Sequence, residues 1–151
     1  MQIIKDRQII ENNWSFIEDD QALPTGNVII SVSRWQTGKP QLQQHVAQLG
    51  LRLQPSDNVA DIAQDLAHFD LIDLHFPVFT DGRGFSQAKL LRDRYQYAGE
   101  IRASGNFMVD QVFYMTKVGI NAFELNNEKQ LPLAISLMDD FSVSYQELLF
   151  A

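Results

Sequence analysis

The chain has 151 residues with 12 basic and 19 acidic side chains, a formal charge of −7, and is 45% apolar and 21% charged. That is the length of one domain with a globular composition, and its acidity excludes a non-specific binder of nucleic acid or anionic membrane, whose affinity rests on clustered Lys and Arg. With no cysteine, disulfides, thiolate metal sites, cysteine nucleophiles and Cys-ligated iron–sulfur clusters are impossible.

The opening Met1-Gln2-Ile3-Ile4-Lys5-Asp6-Arg7 turns charged too early for a secretory signal, and no run approaches the ~18 apolar residues of a membrane span. A cytoplasmic location is the expectation. Gln2 to Ile4 and Gln8 to Ile10 flank Lys5-Asp6-Arg7 as a hairpin would, Trp14 to Ile17 forms a further edge piece, and Asp19 to Gly26 reads as a loop. These residues, 1–26, are expected as a small β lead-in that decorates the main body.

From residue 27 to 146 strands alternate with helices. Val28–Val32 is a β-branched apolar strand; Gly38-Lys39-Pro40 breaks the chain before a helix from Gln41 to Leu49, stopped by Gly50. Leu51–Leu53 is a strand. Pro55-Ser56-Asp57 turns into a helix in which Val59, Ile62, Ala63 and Leu66 fall at i, i+3, i+4 and i+7. Asp70–Phe76 is a strand, Ser86–Tyr97 a helix ended by Gly99, Glu100–Ala103 a strand, Met108–Val118 a helix ended by Gly119, and Ala122–Leu125 a strand. Asn126-Asn127 caps a last helix with Pro132 near its first turn and Leu133, Leu137 and Met138 facing inward, and Phe141–Tyr145 closes as a strand. The alternation predicts a single α/β domain, 1–151, of repeated βα units with a mostly parallel sheet, either partial barrel-like or open and doubly wound. In both, ligands meet the carboxyl ends of the strands.

The strand ends therefore carry the candidates. After Phe76, Asp81-Gly82-Arg83-Gly84 leads to Ser86 at a helix start, where glycine backbone, free N–H groups and a guanidinium would cradle an anion; otherwise Asp81 and Arg83 simply pair and cap the helix. Arg102, followed by Asp110 and Gln111, would add a second guanidinium at the same mouth, or pair with Glu100 or Glu124. Glu124 is a rim charge or an arginine's counter-ion. His75, at the end of an apolar strand, is a candidate acid or base, and with no partner at ligand spacing no metal site is expected. Gly82-x-Gly84 is no dinucleotide fingerprint, because Gln87 holds the third glycine position, and Ser86 is no hydrolase nucleophile, because His45, His68 and His75 all precede it.

Phe79-x-Asp81-Gly82-Arg83-Gly84-Phe85-Ser86-x-Ala88-x-x-Leu91-Arg92, then Arg102-Ala103-x-Gly105, Asp110-Gln111 and Gly119-x-Asn121-Ala122-Phe123-Glu124 together resemble a bacterial family, domain of unknown function number nine hundred and thirty-four. The resemblance implies a gene beside assimilatory sulfite reductase and the sulfate-activation enzymes, and the label of an oxidoreductase of sulfite reduction. Members often carry an acidic residue where this chain has Asn106. Without cysteine or a dinucleotide fingerprint the chain is ill equipped to carry electrons, so no cofactor is expected. The expected role is an accessory partner or scaffold for sulfite reductase or another sulfur-assimilation protein. The alternatives are a small-anion-binding enzyme or sensor built on Arg83 and Arg102, and a flavin- or nicotinamide-dependent oxidoreductase. Spare strand edges make a homodimer the expected assembly.

Overall fold

Asp6 (φ 50°) and Arg7 (φ 66°), both left-handed, turn the chain between strands Gln2–Lys5 (β1) and Gln8–Glu11 (β2) in a computed structural model that describes residues 1–138. Trp14–Phe16 (β3), Asn27–Ser31 (β4), Leu49–Leu53 (β5), Leu71–Phe76 (β6), Glu100–Gly105 (β7) and Ala122–Phe123 (β8) follow. All eight share one sheet in the order β2-β1-β8-β7-β6-β5-β4-β3. From β3 to β8 every pairing is parallel and consecutive; β1 lies antiparallel on β8. An open doubly wound sheet reverses its strand order at a switch point, and this one does not: it is a curled half-barrel.

Connectivity forces the curl. β2 and β3 occupy opposite edges, yet only Asn12 and Asn13 join Glu11 to Trp14. Three peptide steps reach roughly 11 Å at most, whereas a flat sheet would separate the edges by roughly 34 Å at one strand spacing per step. The N-terminal strands are thus no decoration: they extend both edges of the sheet and bring those edges towards one another.

The helices sit where βα repetition demands, with shifted boundaries. Ser31 Oγ accepts the Arg34 N–H and starts Val32–Leu42 (α1), so the expected break at Gly38–Pro40 falls inside a helix, as a kink at Gly38, and residues 43–48 are not helical. Gly50 is consequently a strand residue, not a helix stop; a Cβ there would press within 3.1–3.2 Å of Ile29 and Leu71. Val59–Ile62 (α2) is capped by Asn58 and runs on as a 3-10 turn. Arg83–Lys89 (α3) continues through a π-helical turn, and left-handed Gln96, before Gly99, ends that stretch. Val112–Lys117 (α4) stops at Gly119 (φ 100°) as expected. A helix over 131–138 (α5) turns Leu131, Ala134 and Met138 inward, while Leu133 is exposed because it falls on the opposite face. The expected strand at Phe141–Tyr145 lies outside the described residues.

Alternation within strands divides the sheet. One face sends Val28, Ile30, Leu51, Leu53, Ile72, Leu74, Ile101, Ala103 and Phe123 into the main hydrophobic core, with Trp35, Ile62, Leu91, Val112 and Met115 from the helical layer. The other face is the inside of the curl, and the register aligns Arg52, Asp73, Arg102 and Ala122 along one row of it, with His75 and Ser104 paired two residues further on.

Candidate functional site

The inside of a parallel barrel is ordinarily packed with branched apolar side chains. Here its middle row is charged and largely closed to water: Asp73, Arg102, Ser104 and Glu100 are all buried. Arg52 Nε meets Asp73 Oδ2 at 2.6 Å, Ser104 Oγ donates to the same oxygen at 3.0 Å, and His75 Nδ1 lies 3.2 Å from Ser104 Oγ. On β7, Arg102 Nε and Nη2 both reach Glu100 Oε2 at 2.9 Å, and Lys5 Nζ stands 3.3 Å from Glu100 Oε1. Asn12, in the two-residue link between the sheet edges, accepts from Arg102 Nη1 at 2.9 Å and donates to Glu124 Oε1 at 3.4 Å. The link thus seals one side of the interior and ties β7 to the chain after β8.

Two groups in this network remain unsatisfied. Asp73 Oδ1 is fully buried and has no hydrogen-bond partner among the described residues. The Arg52 guanidinium, stacked 3.7 Å over the Phe16 ring and pinned through Nε, makes no hydrogen bond to any described residue through its two Nη groups. Its side chain keeps 14% exposure, near the carboxyl end of β5. Buried ion pairs are poor sources of stability, and an orphaned acceptor costs about 1–3 kcal/mol.

The titratable groups at the mouth move in opposite directions. Burial, then Arg52, holds the His75 imidazole below its ordinary value, with Asp73 opposing. Burial, then Asp73, pushes the Glu124 carboxyl up against the pull of Arg102 and Arg52. Both shifts favour the uncharged form of the side chain. Among the described residues no three His, Asp or Glu side chains stand together to hold a metal ion.

The structure separates the candidates read from sequence. Arg102, Glu124 and His75 belong to the inner face. Arg83 does not: its exposed guanidinium makes three contacts of 2.7–3.2 Å with Asp81, whose carboxyl it holds below the usual range. Asp81 also caps the Arg83 N–H, so the loop after β6 closes on itself. Gly84 is needed because a Cβ would lie 2.5 Å from the Phe76 ring, whereas Gly82 has open space. Ser86 and Asp110 are exposed, and Gln111 braces loops by accepting from Met108 N and donating to Phe79 O. Arg83 and Arg102, held by different carboxylates, form no shared clamp.

Sequence reading passed over Arg52, Asp73, Ser104 and Asn12. The signal was available for three of them: Arg52 interrupts Leu49–Leu53, Asp73 and His75 stand two apart in Leu71–Phe76, and Arg102 and Ser104 two apart in Glu100–Gly105. Polar residues at period two inside otherwise apolar strands share one face. A separate cavity of about 410 Å³, lined by Asp6, Arg7, Thr116, Gly119, Asn121 and neighbours, lies at the other end of the strands, where Asp6 and Asn121 already bond each other.

Arg92 and Asn121 are staples at that end. Arg92 donates to the carbonyls of Gly119, Tyr97 and Gly99, and Asn121 Oδ1 accepts from Ile101 N. The fold and the inner face define a βα half-barrel protein with a charged interior row across its parallel strands. The chain belongs to the family of bacterial proteins of unknown function DUF934, whose profile matches residues 50–149. No curated protein matches the chain. No helix among the described residues is long and apolar enough to cross a membrane.

Proposed function

We propose that the protein binds a small oxyanion at the mouth of the half-barrel, on the Arg52 fork, as an accessory component of sulfur assimilation. The observation that carries the reading is Arg52 itself: Phe16 and Asp73 fix its plane, and its two Nη groups have no acceptor among the described residues. A guanidinium held in this way presents parallel donors at carboxylate or tetrahedral-oxyanion spacing, with little entropy left to lose on binding. The sulfur setting comes from the family resemblance and makes sulfite and sulfate, with phosphate, the first anions to titrate.

Calorimetric titration and thermal shift test it. An anion at a hundredfold excess over its Kd stabilises the fold by about 2.7 kcal/mol. The shift is expected in the wild-type chain and in Arg83→Ala, and lost in Arg52→Lys, which keeps a charge but not the fork. Equal binding by wild type and Arg52→Lys, or no binding of any oxyanion, overturns the reading.

A second reading, docking onto sulfite reductase or another protein of that pathway, is favoured by exposed Val78, Phe79 and Met108 on the loops after β6 and β7, which rim the same mouth. Co-purification with the reductase that survives Phe79→Ser removes this surface from consideration.

A further inference from the structure

The inner face offers a ligand more than a guanidinium. Ser104 spends its one proton on Asp73 Oδ2, so the 3.2 Å contact between Ser104 Oγ and His75 Nδ1 requires Nδ1 to donate. A neutral imidazole that donates through Nδ1 has a bare lone pair on Nε2, and Nε2 accepts no hydrogen bond from any described residue. His75 stands two residues beyond Asp73, the β6 register partner of Arg52, on the same face of the sheet, and Arg52 acts on its imidazole electrostatically, so the two side chains open onto one region of the inner face. The site therefore pairs a donor fork with an unmet acceptor on His75.

We infer that the ligand is a singly protonated oxyanion, bound with its charged oxygens on Arg52 and its O–H donated to His75 Nε2, and that the site rejects fully deprotonated tetrahedral anions. The inference rests on the oxyanion reading of Arg52 and adds the ligand class. Hydrogen phosphate and sulfate separate the two claims, because near neutral pH both are tetrahedral dianions and only the first carries a proton. A site built to accept an O–H discriminates strongly against the analogue lacking it, since its acceptor then faces an oxygen lone pair.

The groups facing His75 are Arg52 from β5, Asp73 on its own strand and Ser104 from β7, and Glu124 beyond β8 interacts with the same Asp73 and Arg52. Burial keeps the imidazole neutral, and protonation turns Nε2 from acceptor into donor. Sulfate affinity should consequently rise as pH falls through the depressed His75 value. Glu124 also gains its proton on acidification, and a His75→Leu variant retains that contribution while losing the imidazole's.

The experiment is calorimetric titration of the full chain with phosphate and with sulfate at about pH 7.5, repeated with sulfate at lower pH, in wild type, His75→Leu and Arg52→Lys. Wild type is expected to favour phosphate roughly tenfold or more, His75→Leu to bind both alike, and sulfate affinity to climb on acidification more steeply in wild type than in His75→Leu. Spectra of the ¹⁵N-histidine-labelled wild type supply a readout that needs no variant to fold: phosphate shifts the His75 Nε2 resonance and sulfate does not. Phosphate and sulfate binding within about twofold of each other in wild type, with both lost in Arg52→Lys, overturns this inference and leaves the oxyanion site standing. Failure of both anions to bind through Arg52 overturns both readings.

Discussion

Replacing either partner of the Arg52–Asp73 pair removes the same 2.6 Å ion pair, but burial makes the two losses unequal. The Asp73 side chain is fully buried and that of Arg52 retains 14% exposure. In Arg52→Met the carboxylate stays inside the sheet with only Ser104 donating to it, and breaking a buried pair in this way costs about 3–5 kcal/mol. In Asp73→Asn the stranded group is the guanidinium, which reaches water at the mouth, while the carboxamide oxygen still accepts from Arg52 Nε and Ser104. The unmet acceptor Oδ1 becomes an unmet donor, so that penalty cancels between wild type and variant. What remains is the charge in two hydrogen bonds, about 1–2 kcal/mol. At roughly 2–4 °C per kcal/mol for this chain length, Arg52→Met lowers the melting midpoint by about 6–20 °C and Asp73→Asn by about 2–8 °C. Urea and thermal unfolding, followed by the fluorescence of buried Trp35 and by circular dichroism, measure both variants. Equal losses, or the larger loss in Asp73→Asn, refute the claim that Asp73 sits deeper in an enclosed interior than its partner.

Three further outcomes follow from the same geometry. Arg92→Met removes the donors to three carbonyls at the amino ends of β7 and β8, a loss of about 2–4 kcal/mol at half-burial that Arg92→Lys recovers only in part, both read from urea midpoints. Gly119→Ala forces a side chain into φ 100° and within 2.4 Å of Arg92 Cγ, costing more than about 1 kcal/mol, whereas Gly82→Ala, with open space around it, leaves the midpoint in place. Glu124 is held above its ordinary value, so its contribution to stability is complete below the unfolded value near 4.5 and is lost as pH rises through the native one. Glu124→Gln should accordingly gain stability over wild type as pH increases across that window, and a constant difference between the two stability–pH curves contradicts the shift.

Period-two apolar runs and helix punctuation made the βα succession legible without coordinates, because each element must bury one face wherever it is placed. The inner row of Arg52, Asp73, Arg102 and Ser104 was written in the same alternation, as polar residues interrupting apolar strands. Which strand neighbours which was not legible, since strand spacing along the chain is the same for consecutive order and for an order with a switch. The two-residue link at Asn12–Asn13 decides it, and does so only once β1 is known to pair with β8 and β3 with β4. Arg83 shows the converse limit: a guanidinium between glycines looks like an anion cradle until the backbone places Asp81 within 2.7 Å of it. Local composition thus determined the elements, the acidic charge and the chemistry that no cysteine can perform. The tertiary structure alone decided which charges face inward and lack partners, because pairing between side chains 20 or 30 positions apart depends on strand register, and register is settled by how the sheet curls and closes.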